Sequence, residues 1–177
     1  MYIVFIILGI LLGLIVLLLI IAIFSKKSYF VERSVLINKP KQTVFQYVRL
    51  LKNQDNYSKW VMMDPNMKKS FRGEDGTVGF VYAWDSPQKD AGKGEHEIKK
   101  VEEDYMETEI RFERPFRAVS RSEIILESSD GQTKMRWTFA SAMPYPMNVI
   151  MVFVNFENLL GKDMETSLVR LKGILES

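Results

Sequence analysis

Residues Met106 to Glu113 read METEIRFE, and the alternation of that stretch decides how the chain folds. Met106, Thr108, Ile110 and Phe112 fall on one side of an extended strand, while Glu107, Glu109, Arg111 and Glu113 fall on the other. A period of two with one uncharged and one charged face describes a strand buried on one side and wet on the other, as in an antiparallel sheet.

The same pattern extends in both directions. Met135, Trp137 and Phe139 alternate with Lys134, Arg136 and Thr138, and Ser120, Ser122, Ile124 and Leu126 are assigned to a buried side against Val119 and Ile125. Towards the N-terminus, Val78, Phe80, Tyr82 and Trp84 share a face. Ile98 and Val101 have opposite parity within Gly94 to Glu102, as a bulge between them would produce. Turn signals at Gly73 to Gly76, Asp85 to Gly94, Glu103-Asp104, Arg114-Pro115 and Ser129 to Gly131 separate these runs, which predicts successive antiparallel hairpins.

Helices are expected on either side. Tyr29 to Ile37 reads as a strand, and Asn38-Lys39-Pro40 then opens a helix carrying Val44, Val48 and Leu51. A second short helical piece, Asn56 to Val61, holds Trp60. After Pro144 and Pro146, Met147 to Glu176 is predicted as one long helix with the stripe Val149, Phe153, Phe156, Leu160, Met164, Leu168, Leu171 and Leu175. Gly161 interrupts the stripe at a cost of about 1 kcal/mol relative to Ala, so close approach to the sheet or a slight bend is expected there. Met147 to Val154 is apolar nearly all round, which implies a covering element or a bordering apolar cavity.

Residues 1–24, MYIVFIILGILLGLIVLLLIIAIF, contain no charge and are followed by Lys26 and Lys27. At about 1.5 Å per residue this is a helix of roughly 36 Å, sufficient for the ~30 Å hydrocarbon core. A cleaved signal peptide fits less well, because the run lacks a basic leading segment and Phe24 occupies a position where a small residue is needed. The expectation is a single-pass membrane anchor (1–24), a short linker (25–28) and one domain (29–177), with the basic flank placing that domain in the cytoplasm. The absence of cysteine agrees with that compartment. Gly9 and Gly13 form a G-x-x-x-G pair through which two anchors could associate weakly as a homodimer. A net charge of +2, with interspersed signs, gives no basis for nucleic-acid binding.

The order strand, two short helices, antiparallel strands, long C-terminal helix resembles the α+β helix-grip fold of the START-like (SRPBCC) superfamily. Within it, the chain is similar to the polyketide cyclase/dehydrase and lipid-transport group. The resemblance is carried by Val31 to Pro40, by Trp60, by Gly79 to Ser86 and Gly92 to Gly94, and by Phe112 to Pro115. It continues through Thr133 to Thr138, Pro144 to Asn148, Gly161 to Glu165 and Leu171-Lys172. It implies a curved sheet gripping the C-terminal helix around an apolar cavity for lipids, sterols or polyketide-like molecules. It supplies no shared catalytic residues, and fold does not fix function.

Three function classes follow: a tethered binding module for a lipid or other hydrophobic small molecule, an enzyme of the polyketide cyclase/dehydrase type, and a chaperone-like protein-interaction domain. The cavity candidates are Trp60, Tyr82, Trp84, His96, Met106, Phe112, Met135, Trp137, Met143 and Met147, because aromatic and methionine side chains suit an adaptable apolar pocket. His96, the single histidine, has no histidine or cysteine partner for a usual zinc site, and no catalytic residue, metal or cofactor is expected. Glu95, Glu97 and Asp85 could form a carboxylate cluster, but the alternating glutamates fit a solvated sheet face.

Overall fold

The structure is a computed structural model and describes residues 2–177. Helix α1 (Tyr2–Phe24) leads into β1 (Ser28–Ile37), followed by α2 (Lys41–Val48) and the short helices α3 (Gln54–Tyr57) and α4 (Lys59–Met62). The strands β2 (Lys68–Arg72), β3 (Val81–Asp85), β4 (Lys93–Val101), β5 (Tyr105–Arg114), β6 (Ala118–Ser129) and β7 (Gln132–Ala142) come next. A 3-10 turn (Met147–Val149), α5 (Ile150–Phe153) and α6 (Phe156–Glu176) complete the chain.

The seven strands form one antiparallel sheet in the order β1-β7-β6-β5-β4-β3-β2. Its inner face is the one the alternation assigns: Met106 pairs with Ile124, Ile124 with Trp137, and Val35 with Met135. The curved sheet grips α6, whose Met164, Leu168 and Leu171 are buried with Val31, Ile37 and Met135 in the core. Polar contacts hold the helix along β1. Lys172 Nζ donates to the Leu36 carbonyl (2.8 Å), and Arg33 Nε donates to Glu165 (2.6 Å). Gly161 is where the Arg33 guanidinium crosses the helix, since an added Cβ would clash with Arg33 Nη2. The bulge expected between Ile98 and Val101 is present as a register shift between Ile98 and Lys100.

Two expectations are corrected. Val78 does not share the face of Phe80, Tyr82 and Trp84; it is 62% exposed, because Gly79 at φ +87° turns the chain before β3 begins. Met147 to Glu176 is not one helix. Val154 is extended (φ −113°, ψ 120°), and the Asn155 side chain accepts from the Asn158 N–H (3.0 Å), starting α6 afresh. That break puts Phe153 outside the stripe, 70% exposed.

α1 is long and apolar enough to cross a membrane and is exposed over most of its length, with Leu18, Leu19 and Ile21 half-buried and Ala22 buried near its end. Its last turn is tied to the domain by Asn148, whose Nδ2 donates to the Ala22 carbonyl (2.6 Å) and lies 3.3 and 3.4 Å from those of Ser25 and Lys26.

Candidate functional site

The strand register defines the end of the sheet where chemistry can be placed. Ser28 pairs with Ala142, Ser120 with Ser141, Phe112 with Ala118, and Lys93 with Arg114. The start of β1, the end of β7 and the β5–β6 loop therefore lie at one end, the end joined to α1.

There an open cavity of about 1330 Å³ lies between the sheet and the segment Met151–Glu157, with Phe24, Ser25 and Lys26 also in its wall. Tyr29, Thr108, Ser120 and Ser141 belong to the inner face of the sheet. Phe30, Glu109, Arg121 and Ala140 have the opposite parity, so the wall reaches around to the charged face. Met151, Val154 and Phe156 supply apolar surface opposite. Tyr29 stacks on Phe156 at 4.9 Å and lies 6.2 Å from Phe139, and burial raises its phenol above the ordinary value of 10. This stacking fixes where α6 begins.

The polar groups of the inner wall are mutually satisfied. Ser120 Oγ donates to Ser141 Oγ (2.8 Å), and Thr108 donates to the Ser122 carbonyl (3.3 Å). With its proton committed there, Thr108 accepts from His96 Nε2 at 2.7 Å. Burial holds the His96 imidazole down at about 4, so it is neutral near pH 7. With Nε2–H donating, that nitrogen is not placed to take a proton from Thr108. The arrangement can shelter an apolar body beside a few hydroxyls.

None of the ten sequence candidates lines this cavity. Met106, Met135 and Trp137 are in the packed core, with Trp137 Nε1 donating to Ser122 Oγ (2.8 Å) and half-buried Trp60 standing edge-on to it. Tyr82 is buried and donates to Asp55 (2.7 Å), and burial, reinforced by that carboxylate, raises its phenol far above the ordinary range. Trp84 donates to the Ala91 carbonyl (2.9 Å) and meets Phe112 edge-on; it lines a smaller cavity of about 300 Å³ with Lys68, Lys93 and Glu113. His96 is under Thr108, Met143 is half-buried, and Met147 is exposed. Tyr29, Ser120, Ser141 and Phe156 are the wall residues that residue type concealed. The signals for them were the buried parity of Ser120 and the all-round apolarity of Met147 to Val154.

Glu95 and Glu97 do not form a metal or acid/base cluster. Arg111 binds both, at 2.9 and 2.6 Å, and also Glu109 at 2.6 Å, which together with Lys99 keeps the Glu97 carboxyl below its ordinary value. No group of three metal-binding side chains occurs among the described residues.

The chain belongs to the polyketide cyclase / dehydrase and lipid transport family, which matches residues 30–176. No curated protein matches it in sequence. Solved structures share the fold. The protein jhp0584 from Helicobacter pylori, described as hypothetical, is 11% identical at a TM-score of 0.60 over 82% of this chain and 87% of that one. The Aha1 dimer from Colwellia psychrerythraea is 14% identical at 0.57 over 84% and 96%. DynU16, a protein of the dynemicin biosynthetic locus, is 15% identical at 0.56 over 84% of this chain but 47% of its own length. At such identities the likeness establishes the helix-grip fold.

Proposed function

We propose that this protein is a membrane-tethered binding module for a lipid or another hydrophobic small molecule, in which residues 1–24 anchor the helix-grip domain 29–177 through the linker 25–28. One observation carries the reading: the cavity of about 1330 Å³ adjoins the end of the apolar helix, with Phe24 to Lys26 in its wall. Family membership in a lipid-transport group supports it. Lys26 and Lys27 favour a cytoplasmic domain. Gly9 and Gly13 have open space around them, where a second anchor could pack as a weak dimer.

In this reading the ligand lies against Tyr29, Met151, Val154 and Phe156, with the Ser120 and Ser141 hydroxyls beside it. Of the candidates singled out by residue type, Met106, Met135 and Trp137 lie in the packed core behind it. No cofactor or metal takes part, and His96 has no catalytic task.

The test is native mass spectrometry of the full chain purified from membranes. A bound species of defined mass, reduced by Val154→Asp with the fold retained by circular dichroism, supports the proposal. Absence of any saturable binding across fatty acids, phospholipids, sterols and aromatic amphiphiles overturns it. Conversion of a bound species on incubation would shift the assignment to an enzyme.

A further inference from the structure

We propose that the anchor-bearing end of the domain is itself a bilayer-docking surface, with Phe153 and Phe116 set into the headgroup layer so that the cavity opens onto lipid. The proposal rests on the tethered reading and adds where the ligand enters. Phe153 is 70% exposed and Phe116 is 66% exposed, and both lie where a soluble domain gains nothing by displaying them. Val152, next to Phe153 in α5, is exposed as well, and Phe24 leads into the domain at 84% exposure.

Their placement follows from the register. The β5–β6 loop, which carries Phe116, lies at the same end of the sheet as the start of β1, because Phe112 pairs with Ala118 and Ser28 with Ala142. α5 follows directly on the Met147–Val149 turn, whose Asn148 holds the α1 terminus through the Ala22 carbonyl. A helix crossing the membrane and ending at Phe24 therefore brings this end to the interface, and the Asn148 contacts limit its freedom to swing away. Exposed Lys26, Lys27 and Arg117 stand by the apolar tips, the combination that binds an interface with anionic headgroups. The occupant is thus the bilayer, continuous with the anchor. The cavity wall shares Val152 and Phe153 with the docking surface, so a lipid chain passes from one to the other without crossing water.

The chain has no cysteine, so single cysteines can be labelled cleanly. Full-length Phe153→Cys, Phe116→Cys and Val169→Cys, each carrying an environment-sensitive fluorophore, are reconstituted into phosphatidylcholine/phosphatidylglycerol vesicles containing doxyl-labelled lipid. Val169 is exposed on α6 thirteen residues beyond Phe156, about 20 Å along the helix. Labels at 153 and 116 are expected to be blue-shifted and quenched by shallow doxyl groups, as for side chains about 5–10 Å into the interface. The label at 169 should behave as in water. If 153 and 116 match 169 while intact mass shows residues 1–24 retained, docking is overturned and the tether stands. An intact mass lacking residues 1–24 overturns the tethered reading instead.

Discussion

His96 is the most quantitative test of the packing. The ring is buried between Tyr82 and Ile110 in the strand pairing and donates to Thr108, and its pKa is held at about 4 against an ordinary 6.5. Between those values the unfolded chain binds more protons than the folded one, so stability falls as pH is lowered through that window and is fully retained above it. At about 1.4 kcal/mol per unit, the loss from this group between pH 7 and pH 5 is about 2 kcal/mol. Being the only histidine, it gives a single imidazole signal, and its NMR titration in the micelle-bound full chain should show a midpoint well below 5.5. His96→Gln keeps a donor for Thr108 and removes the titration. The stability difference between the two proteins in urea unfolding should therefore change by about 2 kcal/mol between pH 7 and pH 5, in favour of the variant at low pH. A midpoint near 6.5, or an unchanged difference, would refute the burial argument.

Three further outcomes follow from the same contacts. Gly161→Ala should displace the Arg33 guanidinium and break its bond to Glu165, leaving stability unchanged or lower; in an Arg33→Ala background the same substitution should stabilise by about 1 kcal/mol, measured as a double-mutant cycle. Asn155→Ala removes the α6 cap and should cost about 1 kcal/mol in chemical denaturation, with faster amide exchange at Asn158. Asn148→Ala leaves the buried Ala22 carbonyl without its side-chain donor, so tryptic cleavage at Lys26-Lys27 of detergent-solubilised protein should accelerate, at a cost of about 1–3 kcal/mol at that junction.

The strand runs, their hairpin connections and most of the wet and dry faces could be read from the sequence because a strand's side-chain period is local: Met106 to Glu113 declares its faces without reference to any partner, whereas the pairing of β1 with β7 could not. The long apolar N-terminal helix, the bulge after Ile98 and the close approach at Gly161 were legible for the same reason, since each is a departure from a local pattern. The cavity wall was not. Aromatic and methionine residues fill cores and pockets alike, and only the packing of Trp137 against Trp60, or of Tyr82 onto Asp55, shows that these side chains are occupied with one another. The space lies instead over Ser120 and Ser141, where small side chains leave a volume that residue type does not announce.

By itself the sequence determined the sheet, the apolar span and the set of buried faces, all consequences of periodicity and composition within a few residues. Tertiary structure alone decided that α6 starts at Phe156, that Phe153 is exposed, and that the cavity and the apolar helix share one end. The physical reason is that a cap at Asn155, the stacking of Tyr29 on Phe156 and the grip of Asn148 on Ala22 join residues up to 127 positions apart, and no local pattern encodes such pairings.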